Sequence, residues 1–240
     1  MKKNPFAAHY AKETAKLQAE KQAEDDNGGQ APGERTAQEV TRQTITELGL
    51  QLKQIRSTQA KAEFKREHID DLIPYVDGVM SADIEEDEVL AQDDVFMTVL
   101  LWAFDSGMLR TGRELATFAS AHDWAMPPML AVKDPAIFIL TRLTEIAGDL
   151  QQPDSGSSHD LIIEIAADYA HADLHDKLGF EVQKMLGELK AESDPSGALE
   201  HYQSAANIKP KRNGLAKKIK TLTDSLAGDS ENNTPVGTGL

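Results

Sequence analysis

Asp93-Asp94-Val95-Phe96-Met97-Thr98-Val99-Leu100-Leu101-Trp102-Ala103-Phe104-Asp105-Ser106-Gly107 is the stretch on which the reading of this chain turns. Two acids stand before a nearly unbroken apolar run, and a glycine stands after it. That order predicts a buried helix with a capped start and a glycine stop. A second helix is expected at once. Thr111-Gly112-Arg113-Glu114 has the spacing in which a hydroxyl and a carboxylate satisfy orphan amides at a helix start. Leu115, Ala116, Phe118 and Ala119 then supply an apolar face, and Met126-Pro127-Pro128 is the expected stop. The two make an antiparallel helical hairpin, the expected core.

Composition agrees with an all-α protein. Of 240 residues 40% are hydrophobic but only 5% aromatic. Ala, Leu, Glu, Lys and Gln dominate between short breakers. The length allows one substantial core or two small ones. There is no cysteine, which excludes disulfides, thiolate metal sites and cysteine nucleophiles and fits a reducing compartment. No apolar run is long enough to span a membrane, and Lys2-Lys3 is not followed by a signal core, so a soluble cytoplasmic protein is expected. The net charge is −15, unevenly spread. Residues 1–68 carry 12 Lys/Arg against 10 Asp/Glu, residues 69–208 carry 7 against 27, and residues 209–240 carry 6 against 3. The middle repels phosphate, so any contact with nucleic acid must come from the ends.

Along the chain, residues 1–35 read as a mobile arm with a basic tip, Lys2, Lys3, Lys12 and Lys16, or as an ordinary disordered terminus. Residues 36–68 read as one long amphipathic helix. Ile45, Leu48, Leu52 and Ile55 recur at steps of three, four and three, a narrow stripe of the kind that pairs helices between subunits. Beyond it Lys53, Arg56, Lys61, Lys65 and Arg66 offer cations to a duplex. The same residues also fit a solvated helix face. Residues 69–148 form the expected central core, in which Pro74 marks a helix start or kink and Asp134-Pro135 a helix start. Residues 149–158 are the expected linker and domain boundary. Residues 159–226 form a C-terminal helical unit and residues 227–240 a polar, disordered tail. In that unit Ala198, Tyr202, Ala205 and Pro210 follow the spacing of the second helix of a tetratricopeptide repeat, although Gly187 is displaced by one position and no Trp is present. Such a unit suits binding to another protein, or is simply helical packing. Lys209, Lys211, Arg212, Lys217, Lys218 and Lys220 form a second basic cluster.

No catalytic residue, metal site or cofactor is assigned. Asp83-Ile84-Glu85-Glu86-Asp87-Glu88 with Asp93-Asp94 is dense in carboxylates, but adjacent acids diverge, and the second pair already has a capping role. His171 and His175 lie four apart, yet there is no neighbouring Glu and no third ligand; surface or capping histidines are the other reading. Pro153-Asp154 and Glu188-Leu189-Lys190 imitate the letters of a restriction-type nuclease, but one falls in the linker and the other in an expected helix. No phosphate-binding loop, nucleophile elbow or dinucleotide fingerprint is present.

The central stretch resembles the small terminase subunit of temperate tailed phages of the peduovirus type. The resemblance rests on Asp93-Asp94, Met97-Thr98-Val99, Trp102, Asp105-Ser106-Gly107 and Met126-Pro127, and extends more loosely over about residues 50–225. It implies a protein of the host cytoplasm that binds double-stranded phage DNA, forms a homo-oligomeric ring and delivers DNA to the large terminase subunit for cutting and packaging. Proteins of this type often carry an endonuclease label. An intrinsic metal-dependent nuclease using the acids at 83–94, and a helical adaptor without DNA affinity, are the competing expectations.

Overall fold

The computed structural model describes Lys12, Ala15, Lys16 and residues 36–82, 90–149 and 156–232. Among these the chain is all-α, with no strand, and no helix is long and apolar enough to cross a membrane. Contacts divide the chain into two units, Met1–Phe138 and Ile139–Leu240.

The first unit is built around the apolar run, which forms helix α4 (Asp94–Asp105). Phe96, Met97, Val99, Leu100, Ala103 and Phe104 are completely buried. A helix so enclosed cannot leave its terminal amides and carbonyls to water. Asp93 caps the start, its Oδ1 accepting from the amides of Val95 (2.9 Å) and Phe96 (3.0 Å). Its other oxygen accepts from the Tyr75 hydroxyl. Burial raises the Tyr75 pKa far beyond its usual range and the Asp93 charge raises it further, so the hydroxyl remains a donor. At the far end Gly107 is left-handed (φ 72°). The amides of Gly107 and Met108 donate back to the carbonyls of Phe104 (3.0 Å) and Ala103 (2.8 Å), the paired bonds of a Schellman stop.

Around α4 lie α1 (Ala37–Leu52), α2 (Thr58–His68), a short 3-10 turn (Ile69–Asp71), α3 (Ile73–Met80) and α5 (Leu109–Ala121), with Pro74 in the first turn of α3. The expected hairpin is α4 with α5. Two of its bounds differ from the sequence reading. Helix α5 begins at Leu109, so Thr111 is already inside it and forms no capping box; the tight Gly107-Met108 turn leaves no residues for a later start. It also ends at Ala121 and not at Met126-Pro127, because Asp123 takes the left-handed conformation (φ 55°) and Trp124 donates to the Ala119 carbonyl (3.0 Å). The chain then doubles back over the helix start: Trp124 Nε1 donates to the Leu90 carbonyl (2.9 Å), and Leu90 N–H donates to His122 Nδ1 (3.2 Å). Gln92 exchanges two 2.9 Å bonds with the backbone of Ala125. Phe96 and Phe118 pack against the latch residues His122 and Trp124 in tilted and edge-to-face ring contacts.

The single helix expected over residues 36–68 is two. Thr36 and Glu39 form a reciprocal capping box at the start of α1. Ser57 is extended and caps α2 by accepting from Ala60 N–H (3.3 Å), a local bond that competes with continuous helix. The N-terminal segment is also not a free arm throughout. Lys12, Ala15 and Lys16 are helical and Ala15 is 1% exposed. A Cβ on Gly78 would lie 2.5 Å from both the Ala15 Cβ and the Lys12 carbonyl, so the absence of a side chain lets this segment seat on α3. Lys2 and Lys3 lie outside the described residues.

Helix α6 (Pro135–Asp149) starts where Asp134 accepts from Ala136 N–H (2.8 Å), and the division between the units falls inside it. Of the expected linker, residues 150–155 lie outside the described residues. The second unit continues with α7 (Gly156–Asp168), α8 (Asp176–Lys190), α9 (Pro195–Ile208) and α10 (Ala216–Asn232). Helices α8 and α9 are its most intimate pair. Ala198, Tyr202 and Ala205 are buried along α9, and a Cβ on Gly187 would stand 2.7 Å from the Tyr202 ring. Helix α10 closes the cluster of Phe180, Tyr202, Ala205 and Leu215 through Ile219 and Leu222.

Two outcomes follow from the first unit. Asp93→Ala removes a helix cap and orphans a buried hydroxyl, a loss of about 2–4 kcal/mol in denaturant unfolding, whereas Asp93→Asn, which keeps an acceptor, loses less. Burial lowers the His122 pKa from 6.5, and neutral Nδ1 is the acceptor the latch needs. Its stabilisation is therefore complete above about pH 6.5 and disappears as pH falls through the lower folded-state value. Thermal unfolding across pH is expected to show a melting temperature that falls on acidification, and a smaller fall in His122→Gln. The remaining slope includes His201, whose pKa is lowered by burial and by Lys190.

Candidate nucleic-acid interface

The cations expected to meet a duplex do not behave as one set. Lys65 and Arg66 sit in the last turn of α2, which lies against α4. Lys65 Nζ is ion-paired with Asp105, both side chains only 14% exposed, and lies 5.7 Å from the Trp102 ring. Arg66 donates through Nε (3.0 Å) and Nη2 to the Ser106 carbonyl. That carbonyl belongs to the C-cap residue of α4, where the helix field favours positive charge. These two cations complete the end of a buried helix. Their engagement with residues 40 positions away leaves no trace in local spacing.

Lys53, Arg56 and Lys61 are placed differently. Lys53 and Arg56 are exposed in the connection between α1 and α2, and Lys61 is half-buried on the second turn of α2. None of the three makes an ion pair among the described residues. Held between the Leu52 end of α1 and the Ser57 cap of α2, two of them project from a bend and not from a continuous helical face. Arg42, exposed on α1, is a further cation that the sequence reading passed over.

The stripe expected for subunit pairing is divided as well. Helix α1 ends at Leu52, so Ile55 lies beyond it. Leu48, with Ala37 and Thr41, is buried as α1 packs on α3 and α4 of the same chain. Ile45, Leu52 and Ile55 are half-buried, while Val40 and Leu50 are 44% and 58% exposed.

The histidine pair does not converge on a metal. Among the described residues no group of three His, Asp or Glu is placed to hold an ion. His171 lies in the turn after α7, and His175 caps α8 by accepting from Leu178 N–H (3.2 Å), so they do not share a helix face. Asp83 to Glu88 lie outside the described residues. Glu188 and Lys190 are one turn-length segment of α8, paired with Lys218 (2.5 Å) and Asp194 (3.6 Å), not neighbours on adjacent strands. Pro153-Asp154 lies outside the described residues.

The division of the cations has a direct readout. Lys65→Ala or Arg66→Ala is expected to cost about 1–3 kcal/mol in chemical denaturation, as a charged hydrogen bond to a buried helix end is lost. Changing Lys53, Arg56 and Lys61 together to Ala is expected to stay within about 0.5 kcal/mol per site.

Comparison with known proteins bears on the same span. Residues 43–177, from within α1 to the first turn of α8, match the family described as phage small terminase subunit. Over 178 residues the chain is 32% identical to the protein named "Terminase, endonuclease subunit" of Escherichia phage P2, covering 73% of this chain and 68% of that one. No solved structure matches. With more than half of its length inside the family's span, including all of the α4–α5 hairpin on which the first unit is built, the chain belongs to the phage small terminase subunit family.

Proposed function

We propose that this small terminase subunit binds double-stranded phage DNA in the host cytoplasm, assembles with copies of itself, and passes the DNA to the large terminase subunit for cutting and packaging. The observation that carries the reading is the set of cations left over once the fold is satisfied. Lys53, Arg56 and Lys61 are the members of the basic stretch with neither an ion pair nor a side-chain hydrogen bond among the described residues, in a chain whose next 140 residues carry a net −20. Three cations bind phosphate weakly. Several copies held together would multiply those contacts through effective concentration, which is why self-assembly belongs to the mechanism. Ile45, Leu52 and Ile55, together with the exposed Val40 and Leu50, are the apolar side chains that would meet a neighbouring copy. Lys12 would add charge beside α3. The paired helices α8 and α9 would offer a surface to the large subunit.

A second reading takes its motive from the name of the phage P2 relative: an endonuclease using the acids at 83–94 and a divalent ion. The two separate in one experiment. Duplex binding by the isolated protein is followed across a salt series with and without Mg²⁺, for wild type and for the Lys53/Arg56/Lys61→Ala variant at matched oligomeric mass. Binding that weakens steeply with salt in the wild type, a slope shallower by about 2.7 in the variant, and intact DNA throughout are expected. Mg²⁺-dependent cutting lost on changing Glu85, Glu86 and Glu88 would establish the nuclease instead. Absence of binding even at low salt would leave a helical adaptor.

A further inference from the structure

The turn between α9 and α10 carries a charge pattern that neither the fold nor the proposed function uses. From Lys209 to Lys220 there are six Lys/Arg and no Asp/Glu, directly after the most acidic part of the chain. The structure sorts these six. Lys218 pairs with Glu188 (2.5 Å) and lies over the Tyr202 ring, Lys220 pairs with Asp224 (2.7 Å), and Lys209 lies 4.9 Å from the Phe180 ring. Lys211, Arg212 and Lys217 remain exposed, without an ion pair among the described residues.

The backbone beneath them is fixed. Asn213 donates through Nδ2 to the Lys209 carbonyl (2.8 Å) and accepts from Leu215 N–H (3.0 Å). Arg212 and Gly214 are both left-handed, at φ 54° and 73°. Leu215 is 1% exposed and anchors the turn in the cluster of Phe180, Tyr202 and Ala205. Lys217 lies in the first turn of α10, which holds no acid. The amides there already present positive potential, so helix stability would favour Asp or Glu and disfavour lysine. Cations concentrated against that preference on a rigid turn are suited to an external polyanion.

We propose that Lys211, Arg212 and Lys217 form a second phosphate-contact site, taking the backbone of duplex DNA independently of Lys53, Arg56 and Lys61. The site rests on the DNA-binding reading. A protein partner fits it less well: the apolar side chain within the turn, Leu215, is consumed by the unit's own core, and the neighbouring Ile208 is only 36% exposed, short of the large aromatic anchors that centre protein interfaces. Point-like lysines on an exposed turn suit a repeating phosphate ladder, which needs charge and no pocket.

The test uses full-length protein and a random-sequence duplex, with Lys211→Gln/Arg212→Asn/Lys217→Gln compared with wild type; Asn suits the left-handed backbone at 212. The variant is expected to keep the wild-type melting temperature and oligomeric mass. Its plot of log affinity against log salt is expected to be shallower by about 2.7, at about 0.9 for each phosphate no longer neutralised. A wild type that binds DNA and a variant that binds with the same slope would overturn the site while leaving the proposed function intact. A change in oligomeric mass without a change in slope would also overturn it, assigning the turn to the acidic surface of another copy. A wild type with no DNA affinity at low salt would overturn both.

Discussion

Burying most of a helix in the first unit obliges the rest of that unit to finish its ends. Six residues of α4 have no exposure at all, so its terminal amides and carbonyls must be satisfied by protein. Asp93 serves one end and is itself held by Tyr75. The other end is finished by the Gly107 turn and by Arg66 on the Ser106 carbonyl, with Lys65 on Asp105 beside it. The latch from Leu90 and Gln92 to His122, Trp124 and Ala125 fixes the chain that enters the helix against the chain that leaves its partner. Helices α2, α3 and α5 are thus positioned by polar groups at the ends of α4 as much as by its apolar faces.

That arrangement also determines what is left for function. A stretch with five cations reads as a single basic face, but two of the five are engaged by a helix end, Lys65 shielded beside Asp105 and Arg66 exposed but hydrogen-bonded to the Ser106 carbonyl. Of the three that remain, Lys53 and Arg56 sit at a bend created by the Ser57 cap and Lys61 lies within α2 just beyond it. In the second unit the sorting repeats: Lys218 and Lys220 have acidic partners, while Lys211, Arg212 and Lys217 form no ion pair among the described residues. Charge available for a phosphate backbone is what remains after intramolecular neutralisation, and in a chain of net −15 that remainder is small and localised. Weak contacts of this kind gain strength by repetition, which is why self-assembly is part of the proposed function.

Much of the fold was legible where local and tertiary signals coincide. The acids before the apolar run, the glycine after it, Asp134-Pro135 and the Ala198-Tyr202-Ala205 face all lie where the structure uses them. The misread bounds have a common cause. At Ser57 a residue compatible with helix caps a new one, and at Asp123 an acid takes the left-handed position that glycine took at 107. The pairing stripe failed as a unit because spacing does not say whether an apolar face is covered by the same chain, and Leu48 is. Residue type marked the cations, but the capture of Lys65 and Arg66 is a long-range event with no local pattern.

Lysine footprinting by mass spectrometry, with and without a DNA duplex, addresses the division of the cations directly. Lys65, ion-paired and 14% exposed, should resist modification in both states, while Lys53 and Lys61 should react in the free protein and become protected by DNA. A Lys65 that reacts freely and is shielded by DNA, with Lys53 and Lys61 unchanged, would contradict the account.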